Sequence, residues 1–187
     1  VVMAVIGFII QQFLVNQVMD KGEAPALLVT FGLSIILADA MLLLFSADAQ
    51  RAKVPYNTAS LKISQGLSVS VLDLIVFGIS LLTIIILTLF LKKTYLGRSI
   101  RATSDDTQAA SLMGVSVKRT YAIAMGIAMA TAAVAGLCIA LKWTYYPSSG
   151  GGYLLTAFGV VVIGGMGSIP GTLVAGLIFG LAQVIGG

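Results

Sequence analysis

Long apolar blocks, separated by short polar stretches, constrain this chain more than any other feature. Residues 26–45, 71–91 and 121–141 each contain at most one charged side chain. A hydrocarbon core ~30 Å thick needs roughly 20 apolar residues in a helix that crosses it. Of the whole chain, 58% of residues are hydrophobic and only 10% are charged, whereas about 25% are charged in a typical soluble domain. The sequence therefore predicts an integral membrane protein.

The apolar segments predict an all-α, polytopic bundle of transmembrane helices with about five to six spanning or partly spanning segments. In lipid every backbone polar group must be hydrogen-bonded within the protein, and helices achieve this within one segment. The recurring alternation of a membrane β-barrel is missing from the sequence. We expect residues 1–187 to form a single transmembrane domain. Its segments are residues 1–18, 26–45, 71–91, 121–141, 153–163 and 171–187.

The fifth segment, 153–163, is short for a full span and is followed by the stretch G-G-M-G-S-I-P-G. A short segment interrupted by glycine and proline is typical of a broken or re-entrant helix. A full span that continues through Gly164 and Gly165 fits the pattern equally well, so both interpretations of 153–170 stay open. Because the chain begins within an apolar run and stops within another, we expect a fragment that lacks both ends of a longer protein.

The distribution of charge orients the predicted bundle. Residues 92–119 carry six basic and two acidic side chains, so they account for the whole net charge of +4. Loops rich in Lys and Arg remain on the cytoplasmic side, and we predict that 92–119 is a cytoplasmic loop. Residues 20–25 then lie inside, and 45–70 and 142–152 lie outside. Aromatic rings fall at the outer interface: Trp143, Tyr145 and Tyr146. Basic residues in the outer loop oppose the assignment: Arg51, Lys53 and Lys62.

The cytoplasmic loop contains the signals of a short helix, predicted over 105–113. Thr103 or Ser104 is expected to cap its start, and Thr103 with Asp106 three residues later forms an acidic variant of the capping box. Gly114 is placed to end the helix in the left-handed conformation. A helix this short is marginal in water by itself. We therefore expect it to rest on the membrane domain, on the membrane surface or on a partner.

Three separated stretches resemble one family. Residues 108–114, Q-A-A-S-L-M-G, are similar to the E-A-A-x-x-x-G loop of ABC importer permeases, within the longer string G-R-S-I-R-A-T-S-D-D-T-Q-A-A-S-L-M-G-V. The stretch G-G-M-G-S-I-P-G-T-L-V-A-G and the helix L-L-V-T-F-G-L-S-I-I-L-A-D-A-M-L-L-L-F also resemble the branched-chain amino acid permeases of the LivH type. The resemblance runs along essentially the whole chain.

This resemblance implies that 92–119 holds a coupling helix that docks on a cytoplasmic ATPase. Gln108 stands where the family usually has Glu, so a charge-assisted contact is lost while hydrogen bonding can persist. The contact region implied by position comprises Gly97, Arg101, Ala102, Asp106, Gln108, Ala109, Ala110 and Gly114.

The resemblance also implies the partners and the location. A permease of this kind works with cytoplasmic ABC ATPase subunits, a second permease subunit and an extracytoplasmic substrate-binding protein. It moves substrate by alternating access in the lipid of a bacterial or archaeal plasma membrane. No cofactor is expected.

Several residues within the membrane are candidates for the substrate path. Asp39 lies past the middle of its span, where a carboxylate costs at least ~2.5–3.5 kcal/mol, so it should face the bundle or a cavity. It either lines the substrate path or makes an interhelical hydrogen bond. Asp73 is explained by its position at a helix start. The glycine-rich stretch either exposes backbone groups to substrate or allows close packing. The path candidates are Asp39, Gly164, Gly165, Gly167 and Ser168.

The sequence also argues against other functions. The motif G-x-x-x-x-G-K-[ST] is missing from the chain, so we do not expect it to be the nucleotide-binding subunit. It contains no histidine, the commonest general base and metal ligand, and we predict neither catalytic residues nor a metal site. Basic charge beside a membrane needs no nucleic acid to explain it. The alternative function is a secondary transporter of a small polar solute, driven by an ion gradient.

Overall fold

A computed structural model of the chain describes residues 1–19, 23–45, 60–64, 67–165 and 167–186. The first helix, α1, is Val2–Ile10. A π-helical turn, Gln11–Val15, connects it to α2, Asn16–Met19. The remaining helices are α3 Glu23–Phe45, α4 Val71–Lys93, α5 Tyr95–Asp105, α6 Thr107–Leu112, α7 Val117–Lys142, α8 Gly150–Gly164 and α9 Ile169–Gly186.

Five helical stretches in the described part of the chain are long and apolar enough to cross a membrane: Val2–Met19, Ala24–Phe45, Val71–Lys93, Val117–Lys142 and Ile169–Gly186. The apolar helix α8 is shorter, with 15 residues. All six predicted segments are therefore helical, and the predicted all-α, polytopic fold is confirmed.

Two short strands interrupt the helical pattern on the predicted outer side. Strand β1, Ser60–Ser64, pairs antiparallel with β2, Leu67–Ser70, and a register shift lies between Lys62 and Ser64. The sequence did not predict this hairpin, which leads directly into α4. Arg51 and Lys53, which opposed the predicted orientation, lie outside the described residues, as do residues 20–22 of the predicted inner turn at 20–25.

The closest helix pair is α1 against α7, which run antiparallel. Small residues let the two backbones approach: a Cβ placed on Gly126 would lie 2.9 Å from the carbonyl oxygen of Ala4, and one on Gly7 would lie 2.7 Å from Cγ of Met129. In lipid, such close van der Waals packing is a main source of helix association. This pair forms the centre around which α4 and α5 are arranged.

Where α4 begins and α7 ends, on the predicted outer side, Asp73 and Lys142 form an ion pair of 2.8 Å. Asp73 lies in the first turn of α4 and Lys142 in the last turn of α7. Each charge therefore also interacts favourably with the dipole of its own helix. This position accounts for Asp73 without a role in transport.

Helix α8 and helix α9 form a hairpin, joined by what we call the glycine turn: Gly165, Gly167 and Ser168. Gly165 and Gly167 have φ of 85° and 88°, a conformation that favours glycine. At the other end of α8, Pro147 lies in a pocket with Met41 and Phe45 of the C-terminal end of α3. The glycine turn borders a pocket with the C-terminal end of α4. Helix α8 thus runs from the end of α3 towards the end of α4, but with 15 residues it is shorter than the five membrane-length helices, so both interpretations of 153–170 stay predictions.

Candidate functional site

A sharp corner joins the membrane-length helix α4 to helix α5, which lies in the loop predicted to be cytoplasmic. The Thr94 side chain caps α5 by accepting a hydrogen bond from the N–H of Gly97 (3.0 Å), and its hydroxyl donates to the carbonyl of Phe90 (2.7 Å). A Cβ placed on Gly97 would lie 2.5 Å from Cα of Leu91. Because that neighbour is backbone and cannot rotate away, the corner requires glycine at position 97.

Arg101 fastens α5 to the end of α4. Its guanidinium Nη2 donates to the carbonyl oxygen of Leu91 at 2.6 Å. The last carbonyls of a helix have no partner within the helix, and a cationic donor also interacts favourably with this end of the dipole. Arg101 therefore positions the corner, and its neighbour on α5, Ala102, is exposed.

The start of the loop helix differs from the prediction. Thr103 does not cap a helix: it lies inside α5, only 1% exposed, and its hydroxyl donates to the carbonyl of Ser99 at 2.8 Å. The cap is Asp106, whose extended backbone (φ −150°) ends α5 and begins α6. Its Oδ1 accepts from the N–H groups of Gln108 and Ala109, both at 2.9 Å. The predicted helix 105–113 is therefore the last residue of α5, a cap and the shorter helix α6.

The end of α6 agrees with the prediction. Gly114 has a φ of 82°. Its N–H donates to the carbonyl of Ser111, and the N–H of Val115 donates to the carbonyl of Ala110, both at 3.0 Å. These two bonds make a Schellman motif, in which the left-handed residue is usually glycine.

Helix α6 presents one face outward and one inward. Ala110 is 5% exposed and faces the protein. Leu112 and Met113 are 88% and 85% exposed, although both are large and apolar. We call the outward residues the exposed α6 face: Gln108, Ala109, Leu112 and Met113. Of the predicted contact set, Gly97, Arg101, Asp106, Ala110 and Gly114 thus build and hold the corner, while Ala102, Gln108 and Ala109 are accessible.

Comparison with known proteins agrees with this arrangement. Residues 1–187 match the family described as the permease component of branched-chain amino acid transport systems. The chain belongs to this family. A permease family member with five membrane-length helices is a multi-pass protein of the bacterial or archaeal plasma membrane, as predicted. No solved structure matches the chain.

Three curated relatives illustrate the range of the family. BraD of Pseudomonas aeruginosa, a high-affinity branched-chain amino acid transport system permease protein, is 28% identical over 196 residues, which is 100% of this chain and 62% of BraD. LivH of Escherichia coli K12, with the same description, is 34% identical over 63% of this chain and 39% of LivH. The autoinducer 2 import system permease protein LsrC of Enterobacter sp. strain 638 is 32% identical over 79% of this chain and 42% of LsrC. The chain thus spans less than two thirds of these relatives.

In this family member, hydrogen bonds connect α6 to the membrane helices. The hydroxyls of Thr107 and Tyr121 are 3.2 Å apart and hydrogen-bonded, which ties the start of α6 to α7. One turn earlier on α7, the carbonyl of Lys118 accepts from Nδ2 of Asn16 at 3.0 Å. The corner is therefore linked through α7 to the end of α1 and α2.

Sequence reasoning missed Asn16 and its partner Gln11. Both are buried, with 3% and 7% exposure, and Nε2 of Gln11 donates to Oδ1 of Asn16 at 3.1 Å. Asn16 also donates to Oε1 of Gln12 at 3.3 Å. Four carboxamides within one apolar span were the available signal, because such groups enter a membrane helix interface only when they find partners.

The structure does not bring the predicted substrate-path residues together. Asp39 is exposed on α3 and has no hydrogen-bond or ion-pair partner among the described residues. The expectation that it faces the bundle is therefore not met within this part of the chain, because α3 contacts the described residues mainly near its two ends. Gly164 packs against Gly171 and Thr172, and Gly167 and Ser168 line a pocket with Lys92 and Arg101 that does not include Asp39. A role of these residues in the substrate path stays a prediction.

Proposed function

We propose that this chain forms the membrane-spanning permease part of an ABC importer for branched-chain amino acids. ATP hydrolysis would take place in cytoplasmic partner subunits, and an extracytoplasmic binding protein would deliver the substrate. A second permease subunit would complete the pathway. The observation that carries the proposal is the exposed α6 face, presented by a corner whose geometry is fixed by glycine contacts, a helix cap and an arginine.

The exposed α6 face has the properties of a contact surface for a protein. Leu112 and Met113 are almost fully accessible, and clustered exposed apolar side chains mark interaction sites. Ala109 beside them allows close approach, and Gln108 can form neutral hydrogen bonds. The face lies on the side with the positive loop 92–119, which is the cytoplasmic side. An ABC ATPase subunit is the partner that a permease requires on this side.

The internal hydrogen bonds supply a route for movement from this face into the membrane. Force applied to α6 reaches α7 through Thr107 and Tyr121, and reaches α2 through Lys118 and Asn16. Through the Arg101 bond to Leu91 it also reaches α4. Packed helices respond to such loads as nearly rigid bodies, and we propose that ATP-driven displacement of α6 tilts these helices to alternate the access of the substrate.

The substrate class is proposed from the family description and from the relatives named for branched-chain amino acids. LsrC, named for autoinducer 2, sets the competing substrate. Asp39 and the glycine turn remain the candidates for the path. A carrier driven by an ion gradient, the alternative function, gives no role to an exposed α6 face, because it has no ATPase to contact.

The test is ATP hydrolysis by the full-length protein, reconstituted in liposomes with its neighbouring subunits. We expect stimulation by binding protein loaded with leucine, isoleucine or valine, and none by binding protein offered autoinducer 2. Ala109→Trp places a large ring on the exposed α6 face and should abolish both stimulation and co-purification of the ATPase. Ser104→Trp, which adds the same ring at an exposed position of α5, is the matched control and should leave both unchanged.

The possible outcomes distinguish the proposed importer from the alternatives. If Ala109→Trp retains the ATPase and the stimulation, α6 is not the contact. Stimulation by autoinducer 2 alone would replace the proposed substrate class but keep the importer. Uptake that follows an ion gradient, with no ATPase in the purified complex, would refute the proposal and make Asp39 the residue to study.

A further inference from the structure

A pocket of about 380 Å³ lies where α4, α5 and the glycine turn meet, at the end of α4 that is predicted to reach the cytoplasmic boundary of the membrane. Its walls include apolar side chains of three elements, among them Leu91, Val161 and Ile169. Its rim includes the cations Lys92 and Arg101. No acidic side chain belongs to the described residues that line it. The pocket therefore combines an apolar wall with a cationic rim.

Arg101 is held at this rim. Its Nη2 donates to the carbonyl of Leu91 at 2.6 Å, which fixes the direction of the side chain and leaves other N–H groups of the guanidinium for a ligand. Lys92 lies one residue from the end of α4 and is exposed. Two cations on one pocket attract an anion, and a guanidinium matches the geometry of a phosphate.

The depth of the pocket in the membrane narrows the kind of anion. Leu91 and Lys92 belong to the last turn of a membrane-length helix, so the rim lies at the level of the lipid headgroups and the wall below it at the level of the acyl chains. A soluble anion would use the rim but leave the wall exposed. A phospholipid covers both, because its phosphate lies directly above its chains.

We propose that this pocket binds an anionic phospholipid of the cytoplasmic leaflet. Lys92 and Arg101 bind the phosphate, and one acyl chain lies against Leu91, Val161 and Ile169. Basic pockets between helices on the cytoplasmic side are a recognised setting for anionic lipid headgroups. The proposal does not depend on which substrate the protein transports. The bound lipid connects the corner to the α8–α9 hairpin, and it therefore contributes to the order of both.

The test uses native mass spectrometry of the full-length protein, with phosphatidylglycerol and phosphatidylcholine of identical acyl chains. The wild type should retain phosphatidylglycerol preferentially. Lys92→Gln should weaken this retention about fivefold, whereas Lys93→Gln should leave it unchanged, because Lys93 is exposed, carries the same charge and does not line the pocket. Ile169→Trp should abolish retention by filling the wall without altering any charge.

The possible results separate the sources of the effect. Equal losses for Lys92→Gln and Lys93→Gln would mean general attraction by juxtamembrane charge and would overturn the proposal. Release of the lipid by millimolar inorganic phosphate, with Ile169→Trp unchanged, would identify a soluble anion site instead. No preference of the wild type for phosphatidylglycerol would also overturn it. If Lys92→Gln does not fold, Ile169→Trp with Lys93→Gln still decides the question, since both keep the pocket cations.

Discussion

Replacement of Asp106 tests how the exposed α6 face is held. Asp106 accepts hydrogen bonds from two backbone N–H groups, both at 2.9 Å, and α6 has only six residues. Loss of an N-cap side chain costs roughly 1 kcal/mol, which raises the population of the open helix about fivefold. We therefore expect Asp106→Ala to lower amide exchange protection across α6 about fivefold, whereas Asp106→Asn, an equally good cap, should stay near the wild type.

The measurement is hydrogen–deuterium exchange of the protein in lipid nanodiscs, followed in a peptide that covers α6. Asp105→Ala is the matched control: it removes the neighbouring carboxylate, which is exposed and does not cap α6. Equal exchange in Asp105→Ala and Asp106→Ala would refute the reasoning, because it would attribute the effect to charge rather than to the two hydrogen bonds. Unchanged exchange in Asp106→Ala would mean that packing of Ala110 alone holds the helix.

Three further substitutions test the packing and the polar contacts. Gly97→Ala should destabilise the protein by about 1–3 kcal/mol, since the added methyl group meets backbone, whereas Gly78→Ala, with nothing within 4 Å of the added Cβ, should not lower the thermal midpoint in detergent. Asn16→Leu should cost about 1–3 kcal/mol in the free energy of unfolding, because Gln11 and the carbonyl of Lys118 each lose a hydrogen bond. Lys142→Ala should cost no more than about 1 kcal/mol in the same measurement, because its ion pair is exposed.

The membrane helices could be predicted because hydropathy reports directly on the cost of placing a residue in lipid. The ends of these helices could not be predicted in this way. Helix α7 begins at Val117 rather than at the predicted residue 121, because a helix continues into the headgroup region as long as its backbone bonds are satisfied. Lys118 and Arg119 belong to this first turn of α7, but as charged residues they give no hydropathy signal.

The corner was predicted only in part. The residues that helix α5 buries are small or polar: Gly97, Ser99 and Thr103. A search for long apolar blocks therefore passes over this helix. The cap was predicted at Thr103 or Ser104 because a hydroxyl suits that role, but a hydroxyl can also bond within a helix, and both residues lie inside α5. The choice between capping and bonding within the helix is decided by the break in the backbone at Asp106. That break depends on the packing of α5 on α4 and α7.

The environment of Asp39 could not be predicted from the sequence. A carboxylate in a membrane helix indicates that some covering group is needed, but the sequence does not name that group. Likewise, the glycine turn could be recognised as a turn, while its level in the membrane depends on the length of α8 and on its neighbours.

The π-helical turn Gln11–Val15 amounts to one extra residue in an otherwise regular helix. Each residue of an α-helix advances by about 100°, so such an insertion rotates every later side chain onto a new face. The hydrogen bond between Gln11 and Asn16 spans five positions, which is the spacing of this wider turn. Deletion of one residue from this turn would leave the contacts of α1 before it in place. It would nevertheless turn Asn16 away from α7. The number of residues in this span is therefore part of its specificity, in addition to their shape and polarity.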